Sequence, residues 1–94
     1  SVHRSAILLV DGDGVMRFEA SRGLSEAYRR VVEGHSPWPA DARDPDPIVV
    51  PDARLEPSLA PFRHALAAEC IRALAFIPLV SRGAVIGKFM LYAE

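Results

Sequence analysis

Two pairs of apolar runs, each hinged on a turn signal, lie at opposite ends of this 94-residue chain. Ala6 to Val10 reads AILLV, a continuous apolar run with β-branched residues, which is the pattern of a strand covered on both faces. Asp11-Gly12-Asp13-Gly14 follows. Asp-Gly pairs favour the positive φ angles of tight turns, so Val15 to Ala20 should return antiparallel to the first strand. At the other end, Arg72 to Val80 and Val85 to Ala93 flank Ser81-Arg82-Gly83, a polar link of hairpin length with a glycine for a left-handed position. Pro78 removes one ladder donor and predicts a sheet edge or bulge close by.

Between the hairpins the periodicity changes. Ser25 is a helix cap and Glu26 sits at the positive end of the dipole, so a short helix is expected over 26–33. Ala27, Tyr28, Val31 and Val32 would be its apolar face, Arg29 and Arg30 its wet face, and Gly34 its terminator. His35 to Pro47 then carries four prolines and three aspartates, which fix φ and remove donors. This is a long loop, and loops of that length in small domains often act as lids or binding edges. Ile48-Val49-Val50 is a short strand stopped by Pro51. Pro57 and Pro61 announce a second helix over 62–69, with Leu59, Phe62, Leu66 and Cys70 on one buried stripe.

Half the residues are hydrophobic, a quarter are charged and the net charge is −1, the profile of a soluble globular domain. The eleven Lys and Arg residues are dispersed, which argues against a nucleic-acid partner. No apolar run approaches the roughly 18 residues needed to span a bilayer and no signal peptide opens the chain, so a cytoplasmic location without direct membrane insertion is expected. The single cysteine leaves no internal disulfide or multi-cysteine zinc site. His3, His35 and His64 are far apart and lack helical metal-site spacing, so no metal is expected. Strand-like residues run almost from Ser1 to Glu94, so residues 1–94 read as one domain cut from a longer polypeptide.

Three phrases, AILLVDGDGVMRFEASRGLS, IVVPDARLEP and CIRALAFIPLVSRGAVIGKFMLYAE, together resemble a GAF domain of the kind found beside histidine kinase and PAS modules in bacterial signalling proteins. The resemblance implies an α+β fold, with a five-stranded antiparallel sheet in the order 2-1-5-4-3 and a cavity between one sheet face and short helices and a loop. It implies too that helices from the two ends of such a domain, absent from this sequence, would cover the other face. That face is therefore expected to be apolar and open, and a homodimer to form through it.

The same resemblance implies a sensory domain without catalysis of its own. It would bind an unknown small molecule, with no identifiable cofactor, and signal to adjacent PAS or kinase domains, the parent protein being a histidine kinase of a two-component system. The alternative is a ligand-free dimerisation and relay module. Trp38, Asp52, Phe62, Leu66, Phe76 and Pro78 are the residues that would line the cavity. His64 is read as a surface or capping residue, and the Asp11–Gly14 run as a turn, lacking the alternating ligands of a calcium loop. Cys70 falls where such domains often carry glycine and is expected to be a buried or semi-buried structural thiol. One cysteine cannot both attack a sulfoxide and resolve the sulfenic acid that results, and no nucleophile with a base is evident, so no enzymatic activity is expected.

Overall fold

Backbone pairing in the computed structural model, which describes residues 2–94 and side chains from Arg4 onward, joins both hairpins into one sheet. The strands are β1 (Val2–Val10), β2 (Met16–Arg22), β3 (Ile48–Val50), β4 (Ala73–Ser81) and β5 (Ala84–Ala93). All neighbours are antiparallel, in the order β2-β1-β5-β4-β3, as the resemblance implied. β1 starts four residues earlier than its apolar run, because pairing with β2 and β5 recruits the polar Arg4 and Ser5. The first and last strands are adjacent, Ile7 opposite Phe89 and Leu9 opposite Gly87.

Both turns follow from local chemistry. In the first, the amide of Gly14 donates to the Asp11 carbonyl at 3.0 Å and that of Asp11 to the Val15 carbonyl at 2.9 Å. The positive φ falls on Gly14, at 78°, giving a type I turn followed by a left-handed residue. The Asp11 carboxylate accepts from the amides of Asp13 and Val15 at 2.9 and 3.0 Å and fixes the turn. In the second, Arg82 and Gly83 have φ of 51° and 82°, the signature of a two-residue type I′ hairpin. The disturbance expected at Pro78 takes two forms. Pairing slips between Leu79 and Val80, and β3 pairs with β4 only from Leu74 to Phe76, leaving the Pro78 stretch at an edge.

Helix α1 (Glu26–Val32) begins at Ser25, whose hydroxyl accepts from the Tyr28 amide at 3.1 Å. Its buried face is narrower than expected. Tyr28 and Val32, one turn apart, are buried, whereas Ala27 and Val31 face solvent. The second helical segment differs in kind from the single helix expected over 62–69. A 3-10 stretch over Pro57–Phe62 precedes α2 (Arg63–Ala68). Pro57 and Pro61 supply no amide hydrogen, and the tighter spacing tolerates those gaps better than an α-helix.

Cys70 is exposed rather than a buried thiol, and it leaves the stripe formed by Leu59, half-buried Phe62 and Leu66. The helix has already ended. Cys70 adopts a left-handed φ of 59°, its amide donates to Ala67, and that of Ile71 donates to Leu66. These are the two bonds of a Schellman cap, with buried Ile71 closing onto buried Leu66. The Arg4 guanidinium adds hydrogen bonds to the carbonyls of Glu69 and Cys70. A side chain in the left-handed region costs about 1 kcal/mol that glycine avoids. Cys70→Gly is therefore expected to raise the melting temperature by about 4–8 °C, measured by thermal unfolding followed by circular dichroism.

One sheet face is covered. Leu8, Leu74, Phe76, Met90 and Tyr92 are buried beneath α1, α2 and the loop of residues 35–47. Strand alternation puts Ile7, Leu9, Ile77, Leu79, Phe89 and Leu91 on the opposite face, where Ile7 and Leu9 are 39% and 37% exposed. The AILLV run is thus covered on one face, not both, because nothing in the described chain packs on the second. No helix among the described residues is long and apolar enough to cross a membrane.

Candidate functional site

The loop of residues 35–47 owes its place to three anchors rather than to regular structure. Trp38 is buried, meets the Phe76 ring edge-on at 6.4 Å, and donates from Nε1 to the Asp46 carbonyl at 3.2 Å. Four prolines remove most alternatives for this backbone, so one buried indole can hold it. Further along, Arg43 donates to the Arg82 carbonyl at 2.7 Å and the Asp44 amide to the Gly83 carbonyl at 2.9 Å. These two contacts fasten the loop to the β4–β5 turn.

The third anchor lies at the start of the loop and is the polar centre of the interior. Lys88 on β5 points inward, 4% exposed, and its Nζ donates to the His35 carbonyl at 2.5 Å. The ammonium also lies 5.3 Å from the centre of the Phe76 ring, a cation–π contact. The His35 imidazole packs against Phe62 at 4.9 Å and Phe76 at 5.7 Å. Burial lowers the Lys88 pKa to about 8. Burial, and then the Lys88 charge, holds His35 down to about 4. His35 is therefore neutral at pH 7, and Lys88 is the cation of this interior. Tyr28 and Tyr92 meet edge-on at 5.9 Å at the same cavity. Burial pushes Tyr28 up to about 12 and Tyr92 higher still.

The cavity bounded by these groups measures about 20 Å³, room for about one water molecule. Phe62, Leu66 and Phe76 line it together. Trp38 instead closes the loop above Phe76 and borders a separate groove of about 220 Å³. Asp52 turns away and caps the 3-10 turn of residues 53–55, its carboxylate accepting from the Arg54 amide, Nε and Nη2 at 3.0, 2.9 and 2.7 Å. Those bonds, led by the Arg54 side chain, hold its pKa at about 2. Pro78 stands opposite Lys88 in the sheet without lining the cavity. His64 is exposed on α2, and the side chain of His3 lies outside the described residues. Among the described residues no cluster of His, Cys, Asp and Glu could hold a metal. A larger groove of about 410 Å³ borders α2 and includes Arg54, Arg63, Cys70, Arg72 and Glu94, but it is open to solvent.

Sequence reasoning passed over His35 and Lys88. A lysine inside VIGKFMLY is the signal that could have found one of them, since both faces of that strand are otherwise apolar. Only the strand register shows that Lys88 shares the inner face with Met90 and Tyr92.

A small α+β domain with this strand order and a loop-capped inner face has the architecture of the GAF-like fold. Residues 1–94 match the GAF domain family, and the chain belongs to it. It is similar over 95% of its length, at 47% identity and a TM-score of 0.86, to a domain from Sinorhizobium meliloti 1021 assigned to a two-component sensor histidine kinase protein. It is also similar over 98% of its length, at 20% identity and a TM-score of 0.64, to the GAF domain region of a protein from Geobacter sulfurreducens PCA assigned to the membrane; that likeness is one of fold. The chain spans 59% and 64% of those two structures. No curated protein matches it.

Proposed function

We propose that this chain is the sensory domain of a bacterial two-component signalling protein, binding a small molecule beneath the loop of residues 35–47 and passing the change to an output domain. GAF domains are generally sensory modules without catalysis, and the 47% identity to a domain assigned to a sensor histidine kinase supports the signalling context. The observation that carries ligand binding is the buried Lys88 ammonium, which among the described residues meets a backbone carbonyl and an aromatic ring under that loop and no carboxylate. A buried ammonium without a counter-charge costs folding free energy even when hydrogen-bonded, and such groups concentrate at binding sites. The cavity, at about 20 Å³, is far below the roughly 300 Å³ of a ligand pocket, so binding requires the loop to move and the ligand to select an open form. Thermal scanning against a panel of metabolites and nucleotides is expected to find a ligand that raises the melting temperature by several degrees and shifts the emission of Trp38, the chain's one tryptophan. A panel without any stabilising compound would overturn the reading.

The small cavity together with the apolar outer face favours a second reading, a homodimeric relay module. A second copy packed on that face would bury Ile7, Ile77 and Phe89, which lie side by side across β1, β5 and β4. Sedimentation equilibrium is expected to show a dimer for the wild type and a monomer for Phe89→Glu, since a charge at the centre of such a contact costs far more than one at its rim. A wild type that stays monomeric would rule this out.

A further inference from the structure

We propose that the ligand is a small monocarboxylate with an apolar body, anchored by its carboxylate on Lys88 in place of the His35 carbonyl. This rests on the sensory reading above and narrows it to a chemical class. An ammonium has three donors, and Lys88 makes one hydrogen bond, to a neutral acceptor. Among the described residues that line the cavity there is no aspartate or glutamate, and Lys88 enters none of the ion pairs among them. A carboxylate in that position would supply the missing charge and a stronger, charge-assisted bond.

The rest of the site sets the ligand's shape. One cation neutralises one carboxylate, and a phosphate dianion would bring a second charge into a wall made of Leu8, Leu66, Leu74 and Met90. The imidazole of His35 packs edge-on against Phe62 and tilted against Phe76, so its departure would open space bordered by both rings next to the ammonium. His35 follows Gly34, whose φ of 93° is a turn conformation that glycine adopts without strain. The carboxylate would break the Lys88–His35 latch while Trp38 and Arg43 still hold the rest of the loop. A local contact is thereby converted into movement at the start of the segment that joins α1 to β3, around His35.

The test uses the whole chain with acetate, butyrate, pyruvate and benzoate, each paired with its amide, read by thermal shift, calorimetry and Trp38 emission at pH 7. At least one carboxylate is expected to bind at least about tenfold more tightly than its amide, with the preference abolished by Lys88→Met and Lys88→Gln and retained by Arg63→Gln. Equal binding to the Lys88 variants, or loss in Arg63→Gln alone, would overturn the proposal and place the anion in the open arginine groove. A neutral or phosphorylated compound that binds where no carboxylate does would overturn it and leave the sensory reading intact. Silence from the whole metabolite panel would remove both.

Discussion

Lys88→Met is expected to stabilise the domain by about 2 kcal/mol at pH 7, raising its melting temperature by about 10 °C. Shifting the lysine pKa from 10.5 to about 8 corresponds to a cost of about 3 kcal/mol for the charged form in the folded state. Methionine removes that cost and fills a similar volume, while the His35 carbonyl loses its donor at about 1 kcal/mol. The pH dependence gives an independent check. The folded-state pKa is depressed, so between pH 8 and about 10 the unfolded chain binds more protons and wild-type stability rises with pH. Above about 10 the raised pKa values of Tyr28 and Tyr92 act in the opposite sense, because the unfolded tyrosines ionise first. His35, depressed to about 4, contributes stability that is complete above pH 6.5 and lost as the pH falls towards 4. Urea unfolding across pH 6 to 10 should show the rise above pH 8 in the wild type and a flat profile in Lys88→Met. A destabilised variant, or an unchanged profile, would mean that Lys88 is not buried as a cation. A residue that stabilises the protein when removed is one that folding did not select, which is why Lys88 draws a functional reading.

Gly87→Ala should have the larger structural effect, a loss of about 3 kcal/mol and a melting temperature more than 10 °C lower. Gly87 sits in β5 opposite Leu9 on one side and Leu79 on the other. A Cβ there would collide with the Leu8 carbonyl oxygen and lie 2.8 Å from Leu9 Cδ2. The oxygen belongs to the backbone of a central strand, so relief requires β1 and β5 to part. These strands link the two ends of the chain, so the damage spreads to the whole sheet. Gly12→Ala is the matched control, with no atom within 4 Å of the added carbon, and should change stability by less than about 0.5 kcal/mol. Equal effects of the two substitutions in urea titrations would show that β1 and β5 are not so close at Gly87.

The elements legible in the sequence are those whose cause is local. Asp11 and Gly14 make the first turn, Arg82 and Gly83 the second, and Ser25 caps α1, each through contacts within a few residues. The prolines of residues 37–47 define the loop in the same way. Where a specific hydrogen-bond partner rather than periodic spacing decides, pattern reading failed. Cys70 has the spacing of a buried stripe, but the helix ends before it and the residue becomes an exposed cap. Asp52 flanks the loop in sequence, yet its nearest cation, Arg54, turns it outward. The candidate site is divided along the same line. Phe62, Leu66 and Phe76 could be named because aromatic and aliphatic residues at helix and strand spacing mark an inner wall.

His35 and Lys88, which give the site its chemistry, are 53 residues apart, and no spacing rule joins a loop carbonyl to a lysine in the last strand. The two hairpins, the helix starts and the loop were determined by the sequence, because turn and cap chemistry acts over a few bonds. The facing of Lys88 and the apolar outer face were decided by the β1–β5 and β4–β5 registers, since a one-residue slip in either would have turned the ammonium out to solvent.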